Sequence, residues 1–133
     1  MQLPNDVKIG LKRMVEETSN GTNLLMNVCL SYGSRGEIVN ACKSIATDIQ
    51  LGQLDVDDIQ ETVLRQRLLT GSIPDPDIII RTSGEYRLSN FLLWQLAYSE
   101  LFFLESHWPE VSKQQFVTIL QQYARKRKRR YGK

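Results

Sequence analysis

The 133-residue chain is long enough for one globular domain that buries roughly two thirds of its extended-chain surface. Its net charge of +2 is unevenly distributed, because residues 125–133 (RKRKRRYGK) carry seven of the 17 basic residues and no acidic one. The remainder combines ten basic with 15 acidic residues, a net charge of −5. A mildly acidic body with one basic end argues against a protein that binds nucleic acid over its whole surface.

The sequence predicts neither a membrane-spanning helix nor a secretion signal. No run approaches the ~18 apolar residues that a spanning helix requires, and the opening MQLPNDVKIGLKR has no basic stretch followed by an apolar core. We therefore expect a soluble, unsecreted chain that is cytoplasmic or peripheral to a membrane. Cys29 and Cys42 are too few and too far apart for a zinc or redox pair, so we predict buried free thiols.

The first predicted elements are a helix and a strand. Asn5 or Asp6 can cap a helix whose apolar residues follow helical spacing, and Asn20-Gly21 supplies its end. Leu24 to Leu30 (LLMNVCL) is a nearly continuous apolar run, which is typical of a strand covered on both faces in a parallel sheet.

Two further helices and a second strand are predicted in the middle of the chain. Apolar spacing indicates a crossover helix that ends near Gly52, and Asp55 or Asp57 can start another helix that stops before Gly71. The β-branched run Ile78 to Ile80 follows two prolines and predicts a buried strand.

The last third of the chain predicts helix, strand and helix. Leu88 to Tyr98 is apolar almost all round, which favours a buried helix, and Leu101 to Leu104 predicts a third short strand. The capping box Ser112-x-x-Gln115 opens a final helix that continues into the basic tail, residues 125–133. The predicted fold class is α/β, with a partial parallel sheet of about three strands flanked by helices.

Two polar, glycine-containing segments immediately follow the two longer predicted strands. They are Ser31 to Glu37 (SYGSRGE) and Arg81 to Arg87 (RTSGEYR). Ligands of parallel α/β sheets bind outside the carboxyl ends of the strands, so both loops are expected to line one crevice.

The second loop resembles an anion site. Arg81 and Arg87 offer two guanidinium groups that bind phosphate oxygens, while Ser89 and the amides at the start of the predicted helix add neutral donors. A diphosphate fits this set better than a carboxylate. The alternative is that Arg81 pairs with Glu85 or Glu37 and Ser89 only caps its helix.

Three further polar or aromatic positions carry weaker signals. Glu100 follows the predicted buried helix and precedes a strand, so it is a candidate Mg²⁺ ligand, although a solvated carboxylate is the commoner role. His107 has no second His or Cys at ligand spacing and is expected to be a surface or capping residue. Trp94 and Trp108 are expected in the core.

Several segments of the sequence resemble those of one enzyme family. SYGSRGEI resembles the NYGGRxEI segment of cis-prenyltransferases, and residues 76–103 (PDIIIRTSGEYRLSNFLLWQLAYSELFF) are similar almost position by position to that family's longest signature. WPEV at residues 108–111 and the closing Arg130-Tyr131-Gly132, an RxG ending, also match. The similarity runs from about residue 3 to 132 and identifies the chain as the C-terminal half of a cis-prenyltransferase.

The resemblance implies undecaprenyl or dehydrodolichyl diphosphate synthase chemistry. An allylic diphosphate such as farnesyl diphosphate is elongated by isopentenyl diphosphate, each addition creates a cis double bond, and Mg²⁺ assists departure of diphosphate. It also implies a homodimer in the full-length protein and a site at position 100, where Glu100 would bind Mg²⁺. The substrate-binding residues that it implies are Arg81, Arg87, Leu88, Ser89, Arg35, Arg130 and Gly132.

The sequence departs from the family pattern in one large respect. Nothing in it resembles the family's opening strand and Asp-Gly-Asn-x-x-Arg-Trp-type loop, which binds the allylic diphosphate and supplies the catalytic aspartate. We therefore expect residues 1–133 to form a single partial domain that is inactive alone and that self-associates or needs the other half. Smaller departures are Ser31 in place of Asn and Ser34 in place of Gly.

Two other functions stay open. One is a non-catalytic subunit of a heteromeric cis-prenyltransferase that contributes the RxG end, although retention of the substrate-site residues weighs against it. The other is a module that binds nucleic acid or an anionic membrane through Arg125 to Arg130. We expect no nucleic-acid partner, because the tail lacks an aromatic base-stacking platform. Weak peripheral contact with an anionic membrane is compatible with a lipid product.

Overall fold

The computed structural model describes residues 3–127, without the side chains of residues 126 and 127. The elements in chain order are helix α1 (Asn5–Thr18), helix α2 (Ser34–Gln50), a 3₁₀ turn (Val56–Asp58), helix α3 (Glu61–Arg67), strand β1 (Ile78–Arg81), strand β2 (Glu100–Phe103), a second 3₁₀ turn (Trp108–Glu110) and helix α4 (Lys113–Arg127). The chain divides into two compact units, Met1–Tyr32 and Gly33–Lys133. None of the described helices is both long and apolar enough to cross a membrane.

The first unit contains α1, which is predicted correctly, although its cap is not. Neither Asn5 nor Asp6 caps the helix; Pro4 occupies the capping position, without a side-chain hydrogen bond. The fixed φ of proline and the extended ψ of Pro4 (151°) let the helix begin directly at Asn5. Asp6 lies in the first turn, where its charge favours the helix dipole. No side chain of α1 is buried.

The predicted strand over residues 24–30 is wrong for this structure. The segment does not form a strand, and the side chains of Leu24 and Leu25 are 84% and 73% exposed. A strand needs hydrogen bonds to a neighbouring backbone, and within residues 3–127 the only sheet pairs β1 with β2. The apolar run therefore stays unpaired, and Cys29, predicted to be buried, is half-buried.

The second unit holds the α/β arrangement. β1 and β2 pair in parallel, with Ile78 opposite Glu100 and Arg81 opposite Phe103. The predicted strands at 78–80 and 101–104 are therefore confirmed within one residue or so, and the sheet among the described residues has two strands instead of about three. The buried apolar side chains of this second unit are Ala41, Ile45, Leu68, Leu96, Phe102 and Ile119.

Helix α2 forms where a crossover helix was predicted and packs against α3, but no described strand precedes it. Cys42, which was predicted to be buried, is exposed on α2.

The single helix predicted after Asp55 is broken in two. The Asp55 carboxylate accepts a hydrogen bond from the Asp57 amide (3.0 Å) and caps a short 3₁₀ turn, after which Ile59 is extended. α3 then starts at Glu61.

The helix predicted over residues 88–98 is also wrong, because the segment forms consecutive turns. Ser89, Asn90 and Leu92 all have positive φ (49°, 62° and 45°), a region that a right-handed helix cannot contain. Only its later part approaches helical bonding, where the Leu96 amide donates to the Leu92 carbonyl (3.0 Å). This segment nevertheless crosses from β1 to β2, as a parallel pair requires.

The last helix follows the prediction at its start. The Ser112 amide donates to Gln115 Oε1 (2.9 Å) and the Gln115 amide donates to Ser112 Oγ (3.2 Å), which is the predicted capping box. Ile119 of α4 is buried. Trp108, in the turn before this helix, was predicted to lie in the core and is 74% exposed; Trp94 is half-buried.

Candidate diphosphate site

The loop after β1 is fixed by the chain that follows β2. The Ser83 amide donates to the Ser106 carbonyl (2.9 Å), and the Gly84 amide donates to the Leu104 carbonyl (3.0 Å). Gly84 has a φ of +64°, as expected of a tight turn, and a Cβ there would lie 2.8 Å from Glu105 Oε2. Backbone hydrogen bonds to the chain after β2 therefore hold the loop that carries Arg81 and Arg87.

Arg81 is the last residue of β1 and the best placed of the predicted anion-binding residues. It is half-buried, and its Nε is buried without a hydrogen-bond partner among the described residues. A buried guanidinium donor without an acceptor is costly, and an anion would satisfy it. The predicted alternative partners are engaged elsewhere: Glu85 pairs with Arg87, and Glu37 accepts from the Leu69 amide.

Arg87 and Ser89 lie at the other end of the same loop. Arg87 pairs with Glu85, but its side chain is two-thirds exposed, and such exposed pairs contribute little to stability. Ser89 is exposed and Leu88 half-buried. The helix whose N-terminal amides were predicted as additional donors does not form, because residues 88–98 form turns.

The structure brings the two predicted loops together. The Ser34 amide at the start of α2 donates to the Asn90 carbonyl (2.9 Å), and the Arg35 amide donates to Asn90 Oδ1 (2.9 Å). Arg35 therefore lies next to the segment that carries Ser89. Ser34 is the first residue of α2, and Ser31, the other position that departs from the family pattern here, has a positive φ (51°).

Glu100 is separated from the arginine loop. It is the first residue of β2, its amide donates to the Asp77 carbonyl (2.9 Å), and the register places it opposite Ile78. Arg81 lies three residues further along β1, about 10 Å along the strands. Within residues 3–127 no group of three or more His, Cys, Asp and Glu side chains could hold a metal ion. The described donors therefore do not form a Mg²⁺ site by themselves.

The profile of the prenyltransferase family described as "Putative undecaprenyl diphosphate synthase" matches residues 1–132. The chain belongs to the cis-prenyltransferase family. The predicted resemblance is thereby confirmed, as is membership of a family of prenyl-transferring enzymes.

Curated relatives include an "Isoprenyl transferase" from Geobacillus kaustophilus, 47% identical over 130 residues. Another is the "Tritrans,polycis-undecaprenyl-diphosphate synthase (geranylgeranyl-diphosphate specific)" of Thermoplasma volcanium, 48% identical over 131 residues. Each alignment covers 98% of this chain and 50% of the relative. The chain thus spans about half the length of the curated relatives it matches.

Solved cis-prenyltransferase structures share the fold of this chain. Lavandulyl diphosphate synthase from Lavandula x intermedia, in complex with dimethylallyl diphosphate, superposes with a TM-score of 0.86 at 32% identity, covering 92% of this chain and 52% of the plant protein. A probable undecaprenyl diphosphate synthase from Campylobacter jejuni gives a TM-score of 0.77, also at 32% identity, covering 92% of this chain and 55% of the bacterial one. The predicted α/β class is therefore confirmed.

Sequence patterns missed two contacts around this candidate site. One is Asn90, whose hydrogen bonds to α2 cross 55 positions of sequence. The other is the contact of Tyr86 with Glu105, in which the phenol donates to the carboxylate and the Tyr86 ring lies 5.1 Å from that of Phe103. The hydrogen bond and the negative charge of Glu105 both raise the pKa of Tyr86. No local spacing signals either contact.

Of the remaining predicted residues, His107 lies within the described part of the chain, whereas Arg130 and Gly132 do not. His107 is exposed, its amide donates to Glu110 Oε2 (3.0 Å) and its Nδ1 lies 3.2 Å from Ser83 Oγ, in agreement with a surface and capping role. Arg130 and Gly132 lie outside the described residues.

Proposed function

We propose that Arg81, Arg87 and Ser89 bind the diphosphate of isopentenyl diphosphate in a cis-prenyltransferase site, with Arg35 supporting the crevice. The reaction is elongation of an allylic diphosphate by isopentenyl diphosphate with cis geometry. The observation that carries this proposal is the buried Nε of Arg81, which has no partner within residues 3–127 and lies where β1 meets the arginine loop.

The chemistry of such a site is orientation combined with charge neutralisation. Two diphosphates repel each other, so each needs its own cationic subsite before the reacting carbons can approach. Arg81 and Arg87 offer planar forks that bind phosphate oxygens in pairs, and opening the exposed Arg87–Glu85 pair costs little. The relatives support this substrate class, since their names refer to isoprenoid diphosphates.

Mg²⁺ belongs to the proposal only as an expectation from the family resemblance. Glu100 supplies one carboxylate at the opposite end of the strands from Arg81, and the described residues hold no cluster that completes a metal site. Further oxygen ligands would have to come from the diphosphate or from residues outside the described part of the chain.

Calorimetric titration of the 133-residue chain with isopentenyl diphosphate tests the binding proposal. We expect Arg81→Lys to weaken binding about 10-fold, because lysine keeps the charge but loses the guanidinium fork. The matched control is Arg13→Lys on the surface of α1, where Arg13 pairs with Glu17 across the exposed helix face. Equal affinities for the two variants would refute the assignment.

A labelling assay addresses turnover and the alternatives. We expect the chain by itself not to incorporate isopentenyl diphosphate into a farnesyl diphosphate acceptor, because the family's aspartate loop matches no segment of it. Product formation would contradict this expectation. A chain that fails to bind isopentenyl diphosphate but stimulates a second cis-prenyltransferase chain would instead favour the non-catalytic subunit.

A further inference from the structure

Helix α2 lacks a local cap and is capped from a distant segment. Gly33 occupies the capping position in an extended conformation (φ −155°, ψ 120°) and has no side chain to accept a hydrogen bond. Asn90 does so instead: its carbonyl accepts from the Ser34 amide and its Oδ1 accepts from the Arg35 amide, both at 2.9 Å. Two of the unsatisfied amides of the first helical turn are thereby bound.

The close approach of the two segments depends on Gly33 and Ser34. A Cβ at position 33 would lie 2.7 Å from Asn90 Nδ2, so only glycine permits Asn90 to reach α2 without displacement. Ser34 is fully buried, and its Oγ accepts from the Leu93 amide (3.0 Å). Hydrogen bonds therefore run between the segments in both directions.

The segment that caps α2 has an unusual backbone. Ser89 and Asn90 are consecutive non-glycine residues with positive φ (49° and 62°). Such conformations persist only where surrounding contacts enforce them, and they concentrate at functional sites. Asparagine tolerates this region better than most residues, and its bonds to α2 supply the enforcing contact.

From this geometry we propose that Asn90 is a positioning residue for diphosphate binding. By capping α2 it holds its neighbour Ser89 in the left-handed conformation and keeps it next to Arg35. This inference rests on the proposed function, since it assumes that Ser89 and Arg87 bind the diphosphate. It adds a residue that contacts the helix and acts on the ligand only through its neighbours.

The test separates capping from positioning with a second-site variant. Asn90→Gly permits the same backbone but removes Oδ1. The double variant Gly33→Ser/Asn90→Gly restores a local cap, because serine in the extended capping position accepts from the first-turn amides and the obstructing Asn90 amide is gone. It does not restore the link to Ser89. Asn40→Ala, on the exposed face of α2, is the matched control.

Two measurements on the full chain are compared across these variants. Hydrogen exchange of the Arg35 amide, followed by NMR, reports the cap; we expect it to be about 5-fold faster in Asn90→Gly, the effect of one lost cap, and normal in the double variant. Calorimetry with inorganic pyrophosphate and with isopentenyl diphosphate reports positioning. We expect Kd to rise about 10-fold in both the single and the double variant, and to be unchanged in Asn40→Ala.

The outcomes distinguish the inference from the proposed function. If the double variant regains normal affinity, Asn90 acts only through helix stability and the positioning role is overturned. Normal affinity in Asn90→Gly overturns it as well. If the unsubstituted chain binds neither ligand, the proposed function fails and the positioning role with it, while the exchange of the Arg35 amide still shows whether Asn90 caps α2.

Discussion

Glu37 is a buried charged residue whose carboxylate accepts hydrogen bonds from two other segments of the chain. It lies on α2 with 6% of its surface exposed. Its Oε1 accepts from the Leu69 amide (2.8 Å), and its Oε2 accepts from Gln95 Nε2 (3.2 Å), which also donates to Thr70 Oγ1 (2.8 Å). One carboxylate therefore joins α2 to the chain after α3 and to the segment before β2.

The substitution Glu37→Gln keeps the shape of this side chain and changes its hydrogen bonding. Glutamine has one acceptor oxygen and one donor group, so its amide must turn a donor toward either the Leu69 amide or Gln95 Nε2. A buried donor left unsatisfied costs about 1–3 kcal/mol, and loss of the charge weakens the remaining bond. We expect the free energy of unfolding to fall by about 2–3 kcal/mol.

Urea unfolding followed by circular dichroism measures this loss. The control is Glu16→Gln on α1. The Glu16 side chain is 65% exposed and its Oε1 lies 3.9 Å from Lys12 Nζ, so this substitution should change the free energy of unfolding by less than about 0.5 kcal/mol. If Glu37→Gln unfolds at the same urea concentration as Glu16→Gln, the carboxylate is not the buried link that its contacts indicate.

Two further predictions concern exposed groups. The neutral phenol of Tyr86 donates to Glu105, so the pKa of Tyr86 in the folded protein lies above its usual value of 10.0. This hydrogen bond contributes its full stability below that value, and the contribution is lost as the pH rises through the folded pKa. Glu105→Gln should therefore move the ionisation of Tyr86, measured as the difference in ultraviolet absorbance from Tyr86→Phe, to lower pH. The exposed apolar run 24–30 predicts concentration-dependent self-association in sedimentation experiments, which Leu25→Lys should reduce; a monomeric unsubstituted chain at all concentrations would contradict it.

The sequence predicted those elements whose signals are local. Helix α4 begins where the Ser112 capping box places it, and the β-branched run at Ile78 becomes β1. Each of these features depends on residues within one turn or one strand, so the pattern and the structure share the same cause.

Predictions that depended on distant partners failed. The run at 24–30 has the composition of a buried strand, but strand formation depends on a neighbouring backbone that composition does not supply. The 88–98 segment has the apolar content of a buried helix, yet Asn90 and Ser34 bind each other across the fold and the backbone turns left-handed there. In both cases tertiary contacts, or their absence, outweigh local propensity.

The separation of Arg81 and Glu100 was available from the sequence. In a parallel sheet, a residue that directly follows one strand and a residue that opens the next lie at opposite edges. Arg81 was expected to follow its strand and Glu100 to precede its own; each lies within its strand instead, Arg81 as the last residue of β1 and Glu100 as the first of β2, about 10 Å apart along the strands. Side chains stand roughly perpendicular to the sheet, so strand side chains separated along the strand direction do not converge on one small anion. A diphosphate bound by Arg81 and a metal ion bound by Glu100 of the same chain are therefore two separate expectations, each of which needs its own test.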